Sequence, residues 1–338
     1  MLPDNLQASI YGIEGTSLTG EEKAFFAAQK PYGFILFARN CEQPEQIRAL
    51  IDQLKECTGR DELPVLIDQE GGRVARLKPP HWRAAPPAEV FAEIAKRDQN
   101  RAERAVYYNA RLIAAELRDL GITVNCAPLA DIPVPGSHTI IGDRAYGKTP
   151  AEVIRLARRM SDGLLSGGVL PVLKHIPGHG RARVDSHDDL PIVEASLEEL
   201  EASDFVPFKA LADIPLGMTA HIVYTALDKD RPATTSPTAI AYIRNEIGYD
   251  GLLMSDDLSM KALGGSFKQR AHDTLAAGCD LVLHCNGKMD EMKEVAQGAR
   301  PMTPDAYRRA VAAWTMLEES QPVEWATDLA EYEQLMSA

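Results

Sequence analysis

The sequence predicts a single-domain α/β fold, a (β/α)8 TIM barrel occupying residues 1–338. Three observations lead there. Short apolar runs alternate with amphipathic stretches from end to end, the pattern of parallel strands joined by crossover helices. There are eight runs, the number that closes a barrel, and 338 residues suffice for a barrel of roughly 250 residues or more. No Pro-, Gly- or Ser-rich linker, internal repeat or low-complexity segment interrupts the alternation. No GxGxxG turn follows the first run, which weighs against an open doubly wound sheet.

The runs read as strands are Ser9–Ile13, Gly33–Ala38, Pro64–Asp68, Thr123–Ala130, Val169–Lys174, Leu216–His221, Gly251–Ser255 and Asp280–His284. Between them, Pro44–Cys57 carries Ile47, Leu50, Ile51 and Leu54 at the spacing of a helical apolar stripe. Arg101–Leu120 and Pro150–Leu165 read the same way. Thr149 supplies an N-cap ahead of Pro150 at the first helical position. Ser196–Leu211, Pro237–Glu246 and Phe267–Ala277 follow, with Gly248 and Gly278 as stops, and Pro304–Glu319 is a final long helix.

In such a barrel, function sits at the carboxyl ends of the strands. The chain places polar residues there repeatedly: Arg39 and Asn40, Asp68, Asp131, Lys174 with His175, His221, Asp256 with Asp257, and His284. That is more polarity than helix capping requires.

Composition narrows the functional classes. Hydrophobic residues at 45% and charged residues at 25% exclude a disordered or collagen-like chain. Aromatics at 6% leave the core to Leu, Ile, Val and Ala. A net charge of −13 argues against a general nucleic-acid binder, which needs a basic face to displace counterions. A local Arg/Lys pocket for an anionic substrate stays compatible with it. No stretch approaches the about 18 apolar residues of a membrane span. The start, Met1 to Gln7, has neither the basic nor the apolar region of a signal peptide. The five cysteines are odd in number, scattered and without CxxC spacing, as expected of reduced thiols in a cytoplasm.

The richest segment runs from Leu173 through Lys174, His175, Ile176, Pro177, Gly178 and His179 to Asp185, Ser186, His187 and Asp188. A buried strand ends in a Lys–His pair, and a polar loop with little apolar content then delivers another His beside acids. Asp185 and His187 share a face in an extended backbone. The carboxylate could hold one tautomer of the imidazole and raise its pKa, so that it donates a proton and later takes one back. A solvated crossover with Asp185 as a cap is the plainer alternative. His175 and His179 also stand four apart, but Pro177 and Gly178 between them break any helix, so no zinc site is expected.

A second segment, Gly251 to Ser259, ends a buried strand in Asp256 and Asp257. An ionised Asp at a barrel mouth can attack an electrophilic carbon, and spacing alone does not choose between the two. A third, Asp68-Gln69-Glu70-Gly71-Gly72-Arg73-Val74-Ala75-Arg76, has glycines that let backbone approach a ligand; a plain turn with a salt-bridged Glu70 is the alternative. A fourth, Ile141 to Gly147, is weak alone. Together these residue types suit glycosyl transfer to water, with a His replacing one of the usual two carboxylates.

In this order, DQEGGRVAR, IGDRAYG, KHIPGHG…DSH and GLLMSDDLSM resemble the motifs of family 3 glycoside hydrolases, over about residues 9–300. Within that family the chain is most similar to the bacterial cytoplasmic β-N-acetylglucosaminidases (NagZ type) of peptidoglycan recycling. The resemblance implies Asp256 as nucleophile, His187 as proton donor and acceptor, and Asp185 as the residue that orients His187. It implies Asp68, Arg76, Arg144, Lys174 and His175 as the substrate-binding set. It further implies a retaining exo-hydrolase without metal or other cofactor. The expected substrate is a small glycan, either a muropeptide fragment or a chitobiose-like sugar. No nucleic-acid or membrane partner is expected, and the protein should be a monomer or weak oligomer. A glycan-sensing protein that had lost the chemistry would lack part of the Asp256, His187 and Asp185 set, and all three are present.

Overall fold

Eight parallel strands form a closed barrel: β1 (Gln7–Gly12), β2 (Pro31–Leu36), β3 (Val65–Ile67), β4 (Val124–Asn125), β5 (Leu170–Ile176), β6 (Leu216–Thr219), β7 (Leu252–Asp257) and β8 (Leu281–His284). Each pairs with its neighbours in sequence, and β8 closes onto β1 through Ser9 opposite Val282. The structure, a computed structural model, describes residues 3, 5–186 and 189–337.

The helices packed around the strands begin with α1 (Gly20–Gln29), α2 (Pro44–Thr58), α3 (Ala88–Ala95), α4 (Gln99–Leu120) and α5 (Pro150–Ser166). They continue with α6 (Leu197–Ala202), α7 (Val206–Ala210), α8 (Pro237–Asn245) and α9 (Phe267–Ala277). The last are α10 (Met289–Gly298), α11 (Pro304–Thr315) and α12 (Trp325–Ser337). The predicted stripe Ile47, Leu50, Ile51 and Leu54 is the buried face of α2. Thr149 caps α5 through a reciprocal pair with Glu152. The main apolar core runs from Leu6 to Leu335, with two smaller clusters apart from it, one around Phe205 and Tyr224 and one around Leu129 and Ile141.

All eight expected strands are present, with corrections at three elements. The run Thr123–Ala130 is a strand only over Val124–Asn125. Pro128 lacks a ladder N–H, and beyond it the chain follows β5 through single contacts, Ala130 N donating to the Lys174 carbonyl at 2.7 Å. The expected helix Ser196–Leu211 is two short helices. Pro207 lies at the start of α7, and Asp204 in the break binds Arg181 instead of continuing the turn (2.7 Å). The helix expected to reach Glu319 is α-helical only to Thr315, with a 3-10 turn after it. Four helices, α1, α3, α10 and α12, were not foreseen.

The C-terminal helix is held by a buried ion pair. Arg111 of α4 reaches Asp328 of α12 at 2.8 Å, Ser166 Oγ at 2.6 Å and the Pro322 carbonyl at 3.0 Å. Both charged side chains are 8% exposed, so neither can turn to water if its partner is lost. Asp328→Ala should therefore cost about 3–5 kcal/mol in urea denaturation, whereas Arg111→Met with Asp328→Leu should cost much less. Equal losses in the single and double variants would show that the pair is not what holds α12.

Candidate active site

The polar residues meet at the carboxyl rim because they lie at the ends of barrel strands or in the connections that follow them. After β3, Asp68 stands at the rim, and Gln69–Gly71 folds against Val74–Ala75 as a short antiparallel ribbon. Gln69 and Asn125 exchange two hydrogen bonds (3.0 and 2.9 Å) that fix the ribbon's root to β4. The Gln69 side-chain oxygen accepts the Arg76 and Leu77 amides, and this returns Arg76 to within 2.9 Å of Asp68.

Lys174 near the end of β5 is 2% exposed and lies between two carboxylates, 3.0 Å from Asp68 and 2.6 Å from Glu70. Arg144 grips Glu70 with two bonds of 2.9 and 2.8 Å. Burial raises the Glu70 carboxyl, but Arg144 and Lys174 outweigh it and bring it down to about 2. Asp68 is likewise driven well below the carboxylate range, its burial outweighed by Lys174 and Arg76. Burial works against the Lys174 charge, and Asp68 and Glu70 more than restore it. The result is an alternating chain, Arg76–Asp68–Lys174–Glu70–Arg144, fully ionised at neutral pH.

His175 follows Lys174, across a cis peptide, and its Nδ1 lies 2.7 Å from Asp131. The other Asp131 oxygen accepts the backbone N–H of His179 at 2.6 Å. His179 Nε2 reaches Ser186 Oγ at 3.0 Å, and burial beside His175 pushes that ring down to about 4. The described part of this loop is packed more tightly than its polarity suggested. His179, Ala182 and Ser186 are buried, and a Cβ on Gly180 would lie 1.8 Å from the Ile132 carbonyl. Asp185 is described, with its backbone carbonyl accepting the Asp189 amide at 3.0 Å. His187 lies outside the described residues, so its expected place beside Asp185 is not part of this geometry.

At the end of β7 the two acids differ. The Asp257 carboxylate accepts the Ser259 amide at 2.9 Å, the Ser259 hydroxyl and the Cys285 amide at 3.1 Å. His221 Nε2 donates to the Asp257 carbonyl at 3.0 Å. Asp256 Oδ1 accepts the Asp257 amide at 2.8 Å. Asp257 is thus engaged in joining β7 to β8.

Asp68, Arg76, Arg144, Lys174, His175, Asp256 and Asp257 all line one cavity of about 180 Å³, with Ile35, Phe37, Met218 and Leu283 as apolar surface. The sequence reading assembled this polar set but did not foresee Phe37, Met218 or the part played by Glu70. The remaining strand-end residues serve other ends. Arg39 donates to the Ile13 carbonyl at 2.9 Å and to the Cys285 carbonyl, and Asn40 to the Ile13 and Gly15 carbonyls. His221 bonds Thr234 at 2.7 Å, and His284 is buried against Phe267. Among the described residues no group of three or more His, Cys, Asp or Glu side chains is arranged to hold a metal ion.

The sequence model described as "Glycosyl hydrolase family 3 N terminal domain" matches residues 13–306. A β-hexosaminidase of Alkalilimnicola ehrlichii is 40% identical over 280 residues, 81% of this chain and 79% of that protein. One from Methylococcus capsulatus is 38% identical over 282 residues, 82% of each. The structure of NagZ from Neisseria gonorrhoeae in complex with N-trifluoroacetyl-D-glucosamine superposes with a TM-score of 0.88 at 33% identity, over 99% of both chains. A rim of paired acids and cations on a closed barrel, together with this extent of similarity, places the chain in glycosyl hydrolase family 3: it is a glycoside hydrolase.

Proposed function

We propose that the protein is a retaining exo-β-N-acetylglucosaminidase that removes terminal, non-reducing β-linked GlcNAc from small glycans. The observation that carries this reading is the cavity that Asp256 and Asp257 line together with Asp68, Lys174 and His175, in which the Asp257 carboxylate is the one that accepts the Ser259 and Cys285 amides across β7 and β8. The N-trifluoroacetyl-D-glucosamine held by the Neisseria gonorrhoeae relative supports the choice of sugar.

In the proposed mechanism the ionised Asp68, Arg76, Arg144 and Lys174, with His175, hold ring hydroxyls and fix the sugar so that attack is nearly intramolecular. Asp256 attacks the anomeric carbon while the His187 imidazolium protonates the departing oxygen, giving a covalent glycosyl-aspartate. His187 then takes a proton from water, which displaces Asp256 and releases the sugar with its original anomeric configuration. Asp185 orients His187. The roles of His187 and Asp185 rest on the motif resemblance. The natural substrates we propose are GlcNAc–1,6-anhydroMurNAc fragments, with or without peptide, in cytoplasmic peptidoglycan recycling. No helix among the described residues is long and apolar enough to cross a membrane.

Side-by-side assay on nitrophenyl β-GlcNAc and nitrophenyl β-glucoside tests the assignment, which requires clear preference for the GlcNAc compound. Asp256→Asn should abolish turnover of every substrate, including those with excellent leaving groups. Asp257→Asn should lower thermal stability and leave measurable turnover. Loss of all activity in Asp257→Asn alone would transfer the nucleophile to that residue.

His187→Ala removes only proton transfer, worth typically about 10²–10⁴-fold. Nitrophenolate departure should survive while a sugar leaving group is badly slowed, and an adduct should accumulate on Asp256, visible by mass spectrometry. Equal slowing of both leaving-group types would sink the acid/base assignment.

A further inference from the structure

Asp131 is wholly buried behind His175 and does not line the sugar cavity, yet it organises the part of the rim that does. One carboxylate oxygen accepts two backbone amides, from His175 at 3.3 Å and His179 at 2.6 Å. The other lies 2.7 Å from His175 Nδ1. An ionised carboxylate only accepts, so the proton in that contact belongs to Nδ1. Burial would raise the Asp131 carboxyl, and the hydrogen bonds it accepts from His175 and His179 work against that, so the charge is kept.

We infer that Asp131 is a positioning residue that fixes the tautomer of His175, so that the ring meets the cavity with Nε2 as a hydrogen-bond acceptor. The cation beside it supplies the reason. Lys174 can only donate, and a sugar hydroxyl that accepts from Lys174 still needs an acceptor for its own proton. His175 with its proton on Nδ1 offers that acceptor on the same wall. With the proton on Nε2 the hydroxyl would face two donors, and the nearest acceptor left for its hydrogen would be Asp68, which already accepts from Lys174 and Arg76. A plain amide at position 131 would impose that state. Its oxygen would keep the two backbone amides, its NH2 would take the place of the second carboxylate oxygen, and Nδ1 would become the acceptor.

This inference rests on the reading of His175 as a sugar contact. The experiment is imidazole ¹⁵N–¹H correlation spectroscopy on ¹⁵N-histidine protein near pH 7.5, with the His175 signals assigned by their loss in His175→Ala. In the wild type the ring should carry its proton on Nδ1 with Nε2 bare, and in Asp131→Asn the proton should move to Nε2. With nitrophenyl β-GlcNAc, Asp131→Asn should raise KM about tenfold with kcat changed much less, as expected for a hydrogen bond made equally in ground and transition states. A wild-type ring protonated on Nε2, alone or on both nitrogens, overturns the inference, and this holds even if Asp131→Asn fails to fold. So does a moved proton with unchanged KM. His175→Ala separates the two layers: an unaltered KM there removes the sugar contact itself, whereas a raised KM beside an Nε2-protonated wild type refutes only the tautomer.

Discussion

Buried charge that must be matched is the constraint on which the rim depends. Lys174 is almost fully buried between Asp68 and Glu70, and each of those acids is shared with an arginine. A carboxylate or ammonium taken out of water without a partner costs several kcal/mol, so every link makes its neighbours tolerable. The links arrive from β3, β5, the ribbon after β3 and the turn at Gly142–Arg144, and the rim exists only once all are in place. The donors and acceptors proposed to meet a sugar are then already oriented, and little reorganisation is left for binding.

The same economy separates two adjacent acids of one type. Side chains alternate along a strand, and Asp257 turns to the Ser259 turn and the Cys285 amide, where it stitches β7 to β8. His221 secures the backbone of the same residue from β6, and its Nδ1 contact continues to Thr234 and on to Thr219. Asp256 is therefore carried on a strand end tied from both flanks, the precision that its proposed role as nucleophile requires.

Much of the barrel was legible because strands and core-facing helices write their burial into local periodicity. Helices such as α1, with Phe25 and Phe26 adjacent, and α10, with only Met292 and Val295 buried, carry too short a stripe to read. The break between α6 and α7 was misread because an apolar pattern continues across Pro207. In the site, strand-end position found Asp68, Lys174, His175 and Asp256, but also Arg39 and His284, which bind backbone or pack in the core. Position along a strand says that a side chain is at the rim and not which way it faces. Glu70 showed the reverse failing. A salt-bridged Glu70 is only the alternative, plain-turn reading of its segment, and because its partners are far along the chain nothing local marks it as the support of two cavity cations.

The clasp between Arg111 and Asp328 has a consequence for how the chain is made. Arg111 leaves the ribosome with α4, and its counter-charge follows only with the last helix. Until then the helix has a guanidinium on the side that must be buried, and closing that side is unfavourable. A nascent or prematurely ended chain that stops short of Asp328 therefore presents an open seam along α4 that proteases and chaperones can recognise. The pair thus makes burial of the α4 face conditional on α12 being present.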